Sequence, residues 1–153
     1  MTQATGDLIR TAVVVGNGEV SVEDMLAWLG DVLRPLRAGR TGECPPAGCF
    51  VTAVAKGTVE IRPPGVGLPA GRVLDFRASP ELVEAVVAPN VASAVALGAA
   101  GGPGGAFALA LALELRETGR AQIGNLGAWS LGRLPDLTVF VRFRAHPASA
   151  RMF

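Results

Sequence analysis

Apolar stretches alternate along the chain with clusters of glycine, proline and charge, and one stretch dominates. No position from residue 86 to residue 113 is charged, and the middle of the run is Gly101-Gly102-Pro103-Gly104-Gly105. About 20 apolar residues suffice to cross a bilayer. A glycine–proline break at the centre would leave backbone groups unpaired in lipid, which argues against a span. The pattern predicts instead a buried strand over residues 91–97, a glycine loop, and a helix over residues 105–118 closed by Gly119 as its C-cap. Charge enters that helix only at Glu114, Arg116 and Glu117. Its first two turns must therefore be enclosed by protein.

The flanking pattern predicts further elements. After a loose start over residues 1–7, Leu8–Val15 is rich in β-branched residues and stops at Gly16-Asn17-Gly18, as a strand entering a turn should. Ser21 reads as an N-cap with Glu23 and Asp24 behind it, and Val22, Met25, Leu26, Leu29, Val32, Leu33 and Leu36 recur at helical spacing. The prediction is a helix over residues 22–37, with Trp28 at the edge of its apolar stripe and Pro35 weakening its last turn. Residues 38–48, with three glycines and two prolines, read as a surface loop and a candidate flap.

Residues 49–55 and 58–62 form a predicted hairpin around Lys56-Gly57, followed by a strand over 72–76. Ser79-Pro80-Glu81 opens a helix over 80–88. A strand over 121–126, a loop over 127–135, a strand over 137–144 and a loose tail over 145–153 complete the chain. The predicted architecture is α/β: a single domain over residues 1–153, with a three-layer-type sheet around a buried central helix.

Composition narrows the function classes. Apolar residues make up 50% of the 153 positions, charged ones 18%, and the formal charge is +1, so there is no basic footprint for nucleic acid. The chain is long enough to bury its own core without a metal or disulfide. Thirteen arginines against the single Lys56 look like codon bias. The start MTQATGDLIR has no apolar core of a signal peptide, and the expected location is the cytoplasm. Cys44 and Cys49 are expected as reduced, structural or incidental thiols; with His146 the only histidine, a zinc site lacks ligands, and a cysteine–histidine pair using Cys44 or Cys49 with His146 stays open.

No catalytic set stands out. Asp75, Glu81, Glu84, Glu60 and Asp136 are the carboxylates considered for acid–base work, each more simply a solvated or capping charge. The glycine segment lacks the lysine and hydroxyl of a P-loop and cannot be written as G-x-G-x-x-G. No cofactor is expected.

From Asn90 onward the residues carry a resemblance. The asparagine, Ala96-Leu97-Gly98, then Gly102, Gly105 and Ala106, and a helix carrying Glu114-Leu115-Arg116 resemble the C-terminal end of the thiolase and ketosynthase superfamily. There an asparagine precedes a strand ending A-L-G-H-P, and x-G-x-S-G-A leads into a buried helix. Ala99 stands at the family's catalytic histidine and Ala100 at the following proline. The segment that carries the thiolase cysteine falls on residues 127–132, which have none. Asn125 and Gly127 echo the glycine-rich turn that stabilises the thioester oxyanion in ketosynthases. Residues 1–89 match nothing in the family.

The resemblance implies one half of a two-half α/β subunit that cannot condense acyl groups. It would bind an acyl thioester through the backbone of Gly101, Gly102, Gly104 and Gly105 together with Asn125. Its exposed half-unit face would pair in a homo-oligomer, or with a ketosynthase or acyl carrier protein, in polyketide- or fatty-acid-type metabolism. Two other readings stay open: a small-molecule α/β enzyme using the Cys44–Cys49 loop or carboxylates near Asp75, and a ligand-free interaction protein.

Overall fold

The structure is a computed structural model that describes residues 7–54, 68–69 and 71–151. It is mixed α/β. The described elements are α1 (Leu8–Val15), α2 (Val22–Leu33), β1 (Gly42–Cys44), β2 (Gly48–Val54), β3 (Arg72–Ala78), α3 (Pro80–Val87), α4 (Ala92–Gly98), α5 (Gly102–Thr118), β4 (Arg120–Ile123), β5 (Gly127–Arg133) and β6 (Val139–Ala145). Short 3₁₀ turns follow α2 at Arg34–Ala38 and β6 at Pro147–Arg151. The strands form two antiparallel sheets, β1-β2-β3 and β4-β5-β6, with β3 lying beside β6. The sheet layer is thus in two antiparallel pieces.

The enclosed central helix is present as predicted, starting three residues earlier than the pattern indicated. In α5, Gly105, Ala106, Phe107, Ala108, Ala110, Leu111, Ala112 and Leu115 are all buried. Helices α1, α3 and α4 pack around it, and β4 continues from its end. Alanine on several faces lets those neighbours approach closely. Gly119 caps it with φ 74°, the left-handed conformation that favours glycine.

Two predicted strands are helices. Leu8–Val15 is α1: Asp7 accepts the Ile9 N–H at 2.8 Å and caps the first turn. A strand would place Leu8, Arg10, Ala12 and Val14 on one face. The helix buries Leu8 and Ala12 against α5 and leaves Arg10 outside, so packing overrides β propensity. Residues 91–97 lie largely in α4, entered through Asn90, whose side chain accepts the Ala92 N–H at 2.9 Å. Ala94 and Leu97, three apart, are its buried positions. Alanine's helix propensity was the missed signal.

Helix α2 and α3 lie where expected. The Ser21–Asp24 capping box opens α2, and Ser79 accepts the Leu82 N–H at the start of α3. Strand β2 covers the first half of the predicted hairpin and lies between β1 and β3; residues 58–62 lie outside the described residues. Strands β3, β4 and β6 match the predicted strands to within three residues at either end.

Three predicted loops are corrected. Residues 38–48 hold β1, and Cys44 and Ala47 are fully buried. Ser79 donates its N–H to the Ala47 carbonyl at 2.8 Å and its hydroxyl to the Pro46 carbonyl at 2.6 Å, so the segment is fastened to β3 and α3 rather than forming a flap. Residues 127–133 are strand β5, with fully buried Trp129 at its centre. Its glycines admit aromatic rings from β6: a Cβ on Gly132 would meet the Phe140 ring at 2.3 Å. Residues 145–151 are anchored through the His146 N–H, which donates to the Leu126 carbonyl at 3.0 Å, and through buried Ser149.

An aromatic chain joins the layers. Trp28 of α2 lies 5.3 Å from Phe107 of α5, Phe107 5.9 Å from Trp129, and Trp129 4.9 Å from Phe143 of β6. Phe50 and Phe76 join it from the other sheet, 5.1 Å apart. Such pairs add about 0.5–1.5 kcal/mol each beyond the area they bury.

Candidate functional site

The glycine segment divides into two structural roles. Gly101 and Gly102 have φ of 76° and 64° and face open space where a Cβ would stand. They line a small cleft of about 170 Å³, closed on its other side by Asn17 and Glu19 of the α1–α2 turn. Gly104 and Gly105 do not line that cleft. A Cβ on Gly104 would meet the Pro45 carbonyl oxygen at 2.8 Å, and one on Gly105 the Gly98 carbonyl oxygen at 3.0 Å. These two glycines seat the start of α5 against neighbouring backbone. Asn125 is exposed in the turn between β4 and β5 and does not line the cleft. Pro103 removes one N–H from the first turn of α5, and the Gly101 N–H is donated to the Gly98 carbonyl at 3.0 Å, so of the glycines lining the cleft at this end only Gly102 is left to offer an N–H to an oxyanion.

The thiols face away from one another. Register pairs Cys49 with Glu43 and Cys44 with Gly48 across the β1–β2 hairpin, which sends the two side chains to opposite faces. Both are free. Burial, reinforced by Cys49 and Glu43, pushes the Cys44 thiol up to about 12. Cys49 is raised as well, by burial and then by Glu43, with Arg77 opposing. A thiol raised in this way holds little of the thiolate that nucleophilic chemistry needs. His146 is exposed, its Nδ1 accepting the Ala148 N–H at 3.0 Å.

The carboxylates named from sequence are dispersed. Asp75 accepts the N–H of Phe76, Glu81 and Glu84 are exposed on α3, and Glu60 lies outside the described residues. Asp136 is exposed, and hydrogen bonds from Thr138 hold its carboxyl below the usual range. Among the described residues no group of three or more His, Cys, Asp or Glu side chains could hold a metal ion. Among the described residues no helix is long and apolar enough to cross a membrane.

Two features were not singled out from the residues. Arg116, noted only as part of the Glu-Leu-Arg resemblance, donates from Nη1 to the carbonyls of Ala85 and Ala88 at 2.9 and 2.6 Å. It caps the C-terminus of α3, where a cation opposes the negative end of the helix dipole. The second is a largely apolar groove of about 690 Å³ between α1 and α2, bordered by Ile123 and lined by Ile9, Val13, Val14, Val22 and Leu26, with the charged Asp7 and Arg10 also in its lining. The apolar stripe of α2 is wider than the face its neighbours cover: Val22 is 44% and Leu26 52% exposed, and Val14 of α1 76%. Its width was readable in the spacing; that part of it stays uncovered was not. No family model, curated protein or solved structure matches this chain.

Proposed function

We propose that this chain is a non-catalytic accessory subunit of acyl-thioester metabolism of the polyketide or fatty-acid kind, working in the cytoplasm within an oligomer. The observation that carries the reading is the apolar groove between α1 and α2. Contiguous exposed apolar surface of this kind marks a protein-binding face, and the partner is a ketosynthase-type enzyme or a second copy of the chain. The acyl-thioester assignment rests on the resemblance from Asn90 onward and on the thiolase-like half-unit it implies. An enclosed helix with glycines in its first turn, as in α5, is compatible with that half-unit; the strand it required at residues 91–97 is absent, since those residues lie largely in α4. The cleft beside Gly101 and Gly102 has room for a small polar group such as a thioester carbonyl.

Light scattering of the purified protein, alone and mixed with ketosynthase and acyl carrier proteins of its own genome, tests the reading. A dimer or hetero-complex that dissociates on Leu26→Asp is the expected result. A monomer that ignores those proteins overturns the accessory role. Native mass spectrometry tests the ligand separately, since the acyl assignment fails if no acyl or pantetheine adduct forms.

A further inference from the structure

At the opposite end of α5 lies a cavity of about 460 Å³, between α1, the last turn of α5 and β4. Its apolar wall is Val15, Leu113 and Ala121, and its polar wall is Thr11, Glu114, Glu117, Arg120 and Gln122, with Thr118 at the turn. Thr118 is committed to the backbone: its hydroxyl donates to the carbonyl of Glu114 or of Arg120, 2.9 and 2.8 Å away. Glu114 is not committed in that way. It is half-buried, its carboxylate accepts the Thr11 hydroxyl, and it stands in no ion pair, since Arg34–Asp31 is the one salt bridge among the described residues. The main chain bridges Asp7 to Gln122, closing α1 onto β4 beside the cavity.

We infer that this cavity binds a small aliphatic ammonium compound, its cationic nitrogen against Glu114 and its hydrocarbon body against Val15, Leu113 and Ala121. A half-buried carboxylate without a cation is costly. Burial raises Glu114 above the usual carboxylate range, and Asp7 and Glu117 raise it further, against the lowering by Thr11. An ammonium group placed there reverses that balance. Thr11 holds the carboxylate in one orientation, so little side-chain freedom is lost on binding. Arg120 lines the same cavity from β4, and with Glu117 it sets the charge around the ligand. Two carboxylates, Glu114 and Glu117, against the one guanidinium of Arg120 favour a cation over an anion, and a neutral ligand would leave Glu114 with the Thr11 hydroxyl but no counter-charge.

Calorimetric titration of the full chain with cyclohexylammonium, using cyclohexanol as the neutral counterpart, tests the site. The amine should bind saturably and the alcohol at least about 10-fold more weakly. Glu114→Gln, which keeps the acceptor for Thr11, should weaken the amine by at least about 10-fold, whereas Glu43→Gln on β1 should leave it unchanged. Because a cation beside Glu114 favours its ionised form, the affinity for the amine should fall as the pH is lowered into the carboxylate range. No amine binding, equal binding of the alcohol, or an unchanged affinity in a Glu114→Gln variant with wild-type circular dichroism would each overturn the proposal.

Discussion

The two ends of α5 are built on opposite plans. At its N-terminus, side chains are nearly absent: Gly104 and Gly105 lie against the carbonyls of Pro45 and Gly98, and the cleft left beside Gly101 and Gly102 is about 170 Å³. At its C-terminus, Glu114, Glu117 and Arg120 border a cavity of about 460 Å³, while Arg116 caps α3. Small residues let backbones meet and leave little room for a ligand. Longer, charged ones hold the neighbouring elements apart and leave a lined space. Glycines are thus not by themselves a binding signal, and a helix that begins as pure packing can end as a site.

The contrast can be broken most severely at Gly104. Replacing it by valine drives a branched side chain into the Pro45 carbonyl, and urea denaturation should show a loss of about 3 kcal/mol, as for overpacking. A loss below about 0.5 kcal/mol would mean that the turn yields and the packing role is wrong. Next in size is Arg116→Met, which keeps the aliphatic stem but removes the charged cap on α3. About 2 kcal/mol should be lost, with the effect shrinking in high salt as a dipole interaction does. Loss of the same size at every salt concentration would leave only packing.

Gly101→Ala sharpens the comparison within the N-terminal end itself. No atom obstructs the new methyl, but the residue sits at φ 76°, and the backbone strain should cost about 1 kcal/mol. An unchanged melting temperature would show that the backbone there relaxes freely. The smallest effect belongs to the other end. Glu114 is raised in the folded protein, so its contribution to stability is fully present below the ordinary glutamate range and is lost as pH rises through the raised value. Glu114→Gln should remove that slope, leaving the variant more stable near pH 7 by on the order of a few tenths of a kcal/mol, because the group is half in solvent. Melting curves from about pH 4 to about pH 8 measure it; parallel profiles for both proteins would place no strain on the carboxylate.

Legibility followed how locally each feature was encoded. Helix α2 was readable because Ser21, its acidic first turn and the apolar stripe agree. Helix α3 was readable because Ser79 and Pro80 mark its start. Helices α1 and α4 were not, since eight and seven residues hold too few turns for periodicity to outweigh β-branched content. Strand β5 was hidden by its own requirement: the glycines that admit Phe140 and Phe143 look like a loop when read without their neighbours. Of the candidate site, Gly101 and Gly102 border a cleft, whereas Gly104, Gly105 and Asn125 stand apart from it.

From its residues alone the chain specified an α/β protein, a glycine break, and an enclosed helix ending at Gly119, because hydrophobic run length, capping and charge onset act within a few turns of one element. Which face of each short element would be covered was decided only in three dimensions. Leu8 and Ala12 of α1 seal one side of α5, while Val14 and Leu26 stay uncovered. Glu114 meets Thr11 from 103 positions away. Burial and ion pairing are properties of the assembled neighbours, and no window along the sequence contains them.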